Sequence, residues 1–345
     1  MSDKPRVSPE RVSPRRLSPS IWLLGGLILI AVICPMIPGS TGTISLLLQV
    51  FAFGAFAMSY DLLIGYTGIV SFGHAMFFGT GAYAVAIWLS RTEGSTTGLV
   101  LGIVTAVVAS IILSLLVAFL SLRVRDVYFA MITLAVGEVF VVLAGSQSLR
   151  QLTNANDGMS LMLPNWLSGD STIYYLGLVF LVVVGFFLKR VTTSPVGHIL
   201  QGIRENEGRA DSLGHQVVRW KTAAFIISGV VAALSGVLFA VAQSFVSTSV
   251  YDVATVSLNV LLMVVIGGTG TLYGGVLGAA LLVFIQNWLT SLGTSIPWLR
   301  NDYIVFGILY ILVVRFLPKG IIGSLRHSGG RRPWKQNKDY VKSET

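Results

Sequence analysis

"GYTGIVSFGH" occupies residues 65–74, within one of the most apolar parts of the chain. Three glycines and a histidine in ten residues are poor material for a helix surface in lipid. The stretch sits at the junction of apolar runs near 43–64 and 68–89. If those runs cross a membrane, the glycines mark a helix interruption. An interruption frees backbone N–H and C=O groups, which cannot face hydrocarbon. It must therefore turn toward the interior of a helix bundle.

The composition supports that premise. The 345 residues are 54% hydrophobic and only 11% charged, with a mean hydropathy of +0.77. A soluble domain carries about 25% charged residues. Apolar runs as long as the ~20 residues that cross the hydrocarbon layer recur along the chain. They lie near 21–37, 43–64, 68–89, 98–120, 127–149, 173–188, 222–243, 255–268, 274–290 and 303–317. The expected fold is all-α: a polytopic transmembrane helical bundle of about ten membrane segments, with broken or re-entrant glycine-rich elements. The run near 255–268 is short enough to be re-entrant. Alternating strands of the barrel type are absent. The transmembrane domain is expected over 21–317, between a disordered basic tail over 1–20 with Ser-Pro repeats and a second basic tail over 318–345. The run 21–37 exceeds a signal-peptide core and no Ala-x-Ala site follows it, so it is read as a retained first helix.

The net charge of +9 is distributed by side. With the N-terminus inside and the segments alternating, only Arg91, Arg150 and Arg300 fall outside. This bias predicts both termini in the cytoplasm and an even number of crossings. It directs the basic residues to anionic lipid, not to nucleic acid. Cys34 is the single cysteine. It allows no internal disulfide and has no metal-site spacing.

Two hydrophilic segments interrupt the pattern. Residues 150–172 fall outside, and residues 189–221 form the long internal loop. In the latter, Ser194 followed by Pro195 predicts a helix start with serine as cap. Gly202, Gly208 and Gly214 punctuate the remainder of the loop, giving one or two short helices against the membrane. Glu205 and Arg209 stand four apart, the spacing at which opposite charges meet on a helix.

No catalytic constellation is present. The dipeptide Gly-Lys does not occur, so there is no phosphate-binding loop for ATP. No His-Glu-x-x-His, Cys-x-x-Cys or Gly-x-Ser-x-Gly occurs either. An intramembrane enzyme built on His74 and Glu138 lacks any further support, and the chain is read as a non-enzyme. Within the apolar segments the ionisable residues are Asp61, His74 and Glu138. A carboxylate at a helix centre costs about 2.5–3.5 kcal/mol on insertion scales, so it faces protein or a water path. For Glu138 a bond to a neighbouring helix and a place on a transport path remain equally open. Asp61, near the inner end of its helix, reads as structural, and His74 as a neutral, hydrogen-bonded side chain.

A second glycine cluster, "GGTGTLYGG", spans 267–275. Gly65, Thr67, Gly68 and Gly73 align with Gly267, Thr269, Gly270 and Gly275. Both clusters follow an outside-to-inside helix. Transporters place substrate paths at such breaks. The candidate path residues are therefore Gly65, Thr67, Gly68, Ser71, Gly73, His74, Glu138, Gly267, Gly268, Thr269 and Gly270.

Four stretches carry a family resemblance: "SYDLLIGYTGIVSFGHAMFFGTGAYAVA" (59–86), "YFAMITLAVGEVF" (128–140), "SPVGHILQGIRENEGRADSLG" (194–214) and "LLMVVIGGTGTLYGGVLGAALL" (261–282). In this order they strongly resemble the permeases of high-affinity branched-chain amino-acid ABC importers, the Liv-M type. The resemblance implies a heteromeric importer in a prokaryotic cytoplasmic membrane. This chain would pair with a second permease of Liv-H type, two ATP-binding subunits and an extracytoplasmic substrate-binding protein. It would hold no cofactor itself, ATP being bound by the partner subunits. The resemblance also places a coupling helix over 203–214, with Ile203, Arg204, Glu205, Asn206, Glu207, Arg209 and Gly214 matching. His198 stands where the family usually has arginine, and "TNANDG" (153–158) replaces a more glycine-rich outer motif. A urea or short-amide permease shares much of the first motif, and Asp61 in place of the more usual asparagine leans that way. A proton-coupled secondary transporter using Glu138 is the third reading.

Overall fold

In the computed structural model, residues 41–121, 127–293, 307, 320 and 321 are described. Helix α1 (Thr41–Asp61) widens into a π-helical turn, Leu62–Thr67, and stops at Gly68. Helices α2 (Ala75–Arg91), α3 (Thr96–Ser121), α4 (Val127–Gly145) and α5 (Asp170–Thr192) follow. Two short helices, α6 (Pro195–Glu205) and α7 (Glu207–Ser212), fill the long internal loop. Then come α8 (Val217–Gln243), a π turn (Val253–Ser257) leading into α9 (Leu258–Gly267), and α10 (Tyr273–Gly293).

The all-α expectation holds, with one small addition. Strands β1 (Met159–Ser160) and β2 (Phe245–Val246) pair antiparallel, Met159 opposite Val246. This bridge ties the 146–169 segment to the end of α8.

The count of about ten segments is not reproduced. Six helices are long and apolar enough to cross a membrane among the described residues: Gly42–Thr67, Thr96–Ser121, Val127–Gly145, Asp170–Thr192, Val217–Gln243 and Tyr273–Ser291. The expected run 68–89 is cut short because Gly68 to His74 do not join a helix, leaving α2 with 17 residues. The run 255–268 appears as the shorter apolar helix Val253–Gly267. Glycine breaks account for both. The runs 21–37 and 303–317 and the tails 1–20 and 318–345 lie, wholly or nearly so, outside the described residues.

Burial separates centre from rim. The spans containing α1 and α8 are 78% and 72% buried, against 28% for those of α3 and α4. Helices α2 and α8 cross at very close range. A side chain on Gly81 would strike the Ala233 carbonyl, and one on Gly236 the Phe78 carbonyl. Without a hydrophobic drive between helices in lipid, such small-residue crossings hold helices together by contact. Aromatic rings fill the adjoining space: Phe56 lies 4.9 Å from Phe78, and Phe51 lies 5.3 Å from Tyr174.

Ser194 takes the expected position before α6, with Pro195 at the first turn. Its hydroxyl makes no cap bond, however, and donates back to the Val191 carbonyl at 2.7 Å. Glu205 and Arg209 do not share a helix. The chain turns at Asn206 (φ −159°, ψ 101°), and Asn206 caps α7 by accepting from the Arg209 N–H at 2.9 Å. Glu207 instead pairs with Lys221 at 2.8 Å.

The 23 residues of α5, about 34 Å long at 1.5 Å per residue, separate the 146–169 segment from the α6–α7 corner. The two lie at opposite ends of the bundle. In a Cys34→Ser background, a cysteine at exposed Asn156 should react with an impermeant thiol reagent in intact cells. One at exposed Gly208 should react only after permeabilisation. The reverse pattern would invert the orientation read from the charges.

Candidate functional site

The site is built where α1 stops. The π turn leaves the Gly65 carbonyl without a helical partner, and Gly68 ends the helix in the left-handed region (φ 76°). The Thr67 hydroxyl closes on the Leu63 carbonyl at 2.6 Å. One turn earlier, Asp61 is fully buried. One of its oxygens accepts from the Gly270 N–H at 2.7 Å and the other from the Leu272 N–H at 2.8 Å. The two glycine clusters therefore meet. A β-carbon on Gly65 would sit 2.5 Å from the Gly270 nitrogen, so only glycine allows the approach. The aligned residues Gly68 and Gly270 both have positive φ, of 76° and 79°.

The third participant comes from α6. The Arg204 guanidinium donates to the free Gly65 carbonyl. Its Cγ lies 3.1 Å from where a side chain on Gly68 would begin. Arg204 is also within electrostatic reach of Asp61. One arginine of the internal loop thus grips the end of the broken helix.

The turn after Gly68 is held by hydroxyls from distant helices. The Phe72 N–H donates to Thr133 Oγ1 of α4 at 3.2 Å, and the Ala75 N–H to Ser257 Oγ at 2.8 Å. The Ser228 hydroxyl donates to the Ser59 carbonyl at 2.5 Å, so its oxygen accepts from His74 Nε2 at 2.9 Å. That pairing assigns the proton to Nε2. His74 is fully buried among the rings of Phe56, Tyr60, Phe77 and Phe225. Ser71 is buried beside this turn, and Gly73 packs on the Thr133 carbonyl.

The candidate path residues therefore fall into three places. Gly65, Thr67, Gly68 and Gly270 surround the junction of the two clusters; Gly267 and Gly268 are buried behind it, and Thr269 is exposed. Ser71, Gly73 and His74 form the buried turn. Glu138 stands apart on the exposed face of α4, with Met131, Leu134 and Val142. It makes no hydrogen bond or ion pair among the described residues.

The candidate coupling residues lie at the α6–α7 corner. Ile203 is buried with Ala210 and Val217 in a small cluster of its own. Glu205 and Arg209 are exposed, and Gly214 turns the chain with φ 85°. Sequence reasoning missed the partners, namely Asp61 as the tie between clusters and Thr133, Ser228 and Ser257 as hydroxyl donors and acceptors. A buried carboxylate beside a glycine break was the available signal for the first. The hydroxyls gave none.

The model of the family described as "Branched-chain amino acid transport system / permease component" matches residues 42–314. The chain is 28% identical, over 88% of its length and 75% of the relative, to the high-affinity branched-chain amino acid transport system permease protein LivM of Salmonella typhimurium. The same figures hold for LivM of Escherichia coli. Identity is 24% to the probable branched-chain amino acid transport permease protein LivM of Methanocaldococcus jannaschii, over 59% of this chain and 61% of that one. No solved structure matches the chain.

Asp61→Ala would leave the buried Leu272 N–H and the part-buried Gly270 N–H unpaired, at about 1–3 kcal/mol for the buried one and less for the other. Asp61→Asn keeps one acceptor. Thermal unfolding in detergent, followed by size-exclusion profile, should rank wild type above Asp61→Asn above Asp61→Ala. Equal midpoints would show that the tie between clusters carries no stability.

Proposed function

We propose that this chain, which belongs to the family of branched-chain amino acid transport system permease components, is the permease subunit of an ABC importer. It moves branched-chain, apolar amino acids inward across the cytoplasmic membrane of a prokaryote. Separate ATP-binding subunits dock on the α6–α7 corner and supply the energy, and a second permease of Liv-H type completes the membrane part. An extracytoplasmic binding protein delivers substrate at the opposite end. Both termini are cytoplasmic, with about ten crossings if the short helices α2 and α9 and the runs 21–37 and 303–317 are counted with the six long ones.

The observation that carries this reading is the grip of Arg204 on the Gly65 carbonyl. A partner subunit can bias a permease between two states only through a contact that differs between them. A corner that is exposed at Glu205 and Arg209, yet bonded through Arg204 to the broken helix, supplies such a contact. Motion of the corner is passed to both glycine clusters together, because Asp61 joins them.

Glu138 supports a position for the path. Exposed residues of α3 such as Val104, Val108, Ile112 and Phe119 are all apolar and suit lipid. The exposed stripe of α4 is apolar apart from one carboxylate at mid-helix. A carboxylate there is costly in hydrocarbon, so this face turns to the second permease and the path runs along it.

Two expected outcomes test these assignments. Arg209→Glu should leave the complex assembled and lower binding-protein-stimulated ATP hydrolysis at least tenfold. Arg209 is the cleaner choice because Glu207 is already paired within the chain and Glu205 lines a cavity behind the corner. Full stimulation with intact copurification would move the coupling contact elsewhere. Single cysteines at Met131 and Val142, with Cys34→Ser, should cross-link to the co-expressed second permease, while one at Val108 should not. Cross-linking at Val108 alone would assign the interface to α3.

A further inference from the structure

A cavity of about 530 Å³ lies between the foot of α4, the 67–72 turn and the α6–α7 corner. That is within the roughly 300–1,000 Å³ of sites that enclose small ligands. Its walls differ in kind. Val70, Phe72 and Phe129 present apolar surface on one side, and Arg204, Glu205 and Asn206 present charge and amide on the other. Each of these three has bonding capacity left over. Arg204 uses one nitrogen on Gly65, leaving its other N–H groups. Asn206 uses its oxygen on the Arg209 N–H, leaving its amide donors. Glu205 makes no hydrogen bond or ion pair among the described residues. Both charge signs therefore stand side by side next to an apolar wall.

We propose that this cavity binds a free zwitterionic α-amino acid with an apolar side chain, entering from the cytoplasm, and that its occupancy restrains transport. Arg204 and the Asn206 amide receive the carboxylate, Glu205 receives the ammonium, and the side chain lies on Val70, Phe72 and Phe129. The two ionic groups of an α-amino acid are joined through one carbon, so a cationic and an anionic side chain lining the same cavity can take both. A bound amino acid would touch the broken-helix turn and the α6–α7 corner together. It favours whichever state brings them close, by its difference in affinity between states. If it binds one state only, at ten times its dissociation constant it shifts that balance about tenfold. The imported product then slows its own import. The inference rests on the amino-acid transport reading above, and it adds a second site for the same substrate class.

The test uses the whole complex in proteoliposomes, with the ATP-binding subunits outward and loaded binding protein in the lumen. Leucine added at the ATPase face should lower stimulated ATP hydrolysis in a saturable manner, up to about tenfold. Isovalerate and isoamylamine, each with one of the two charges, should be much weaker. Val70→Trp fills the cavity and should lessen the ratio of hydrolysis without to with leucine, each protein being compared with its own rate. Radiolabelled leucine should bind the solubilised wild-type complex without binding protein, a measurement independent of any variant. Leucine transport with no binding and no effect on hydrolysis overturns this site alone. Equal inhibition of Val70→Trp and wild type also overturns it, by placing the effect elsewhere. Absence of leucine transport overturns the transport reading and this site with it.

Discussion

A helix cannot be broken inside an apolar bundle unless every backbone group it frees finds a partner. Asp61 meets this demand for two N–H groups at once, those of Gly270 and Leu272. The same two bonds relieve the cost of burying the carboxylate. Other features depend on this tie. The contact requires Gly65 to have no side chain, because the Gly270 backbone occupies that space. It sets the end of α1 against the start of α10, and it leaves the Gly65 carbonyl pointing to Arg204. The break, the close approach and the link to the internal loop are one arrangement.

The turn after the break obeys the same rule with neutral groups. Thr133, Ser228 and Ser257 come from three separate parts of the chain, and each bonds to the short segment 72–75. The Thr133 hydroxyl reaches because Gly73 and Gly137 bring α4 close. The result is a centre built from α1, α2 and α8, with helices of mostly lipid-like surface around it. Against that surface a single carboxylate, Glu138, distinguishes the outer face of α4 from that of α3.

The α6–α7 corner is a structural unit in miniature. Ile203, Ala210 and Val217 give it a small apolar base, and the Glu207–Lys221 pair ties it to the start of α8. Its polar residues remain available on the other side. It is firm enough to act as a lever and connected to the bundle's breaks through Arg204.

The sequence by itself determined that the chain is all-α and located the six helices long and apolar enough to cross a membrane among the described residues, because a long apolar run has few other stable fates. It also located both breaks from their glycines, and the internal helices from Ser194 and Pro195. Only the tertiary structure decided who meets whom. Asp61 finds Gly270 across 209 positions, and nothing local marks that pairing. The outward position of Glu138 was equally hidden. In a soluble helix the polar face shows which side is out. In a membrane helix lipid and protein interior are both apolar, so the periodic signal that would have placed Glu138 is absent. Gly68 and Gly270 share a positive φ, yet the contact of Gly270 with Gly65 depends on packing that no periodicity records.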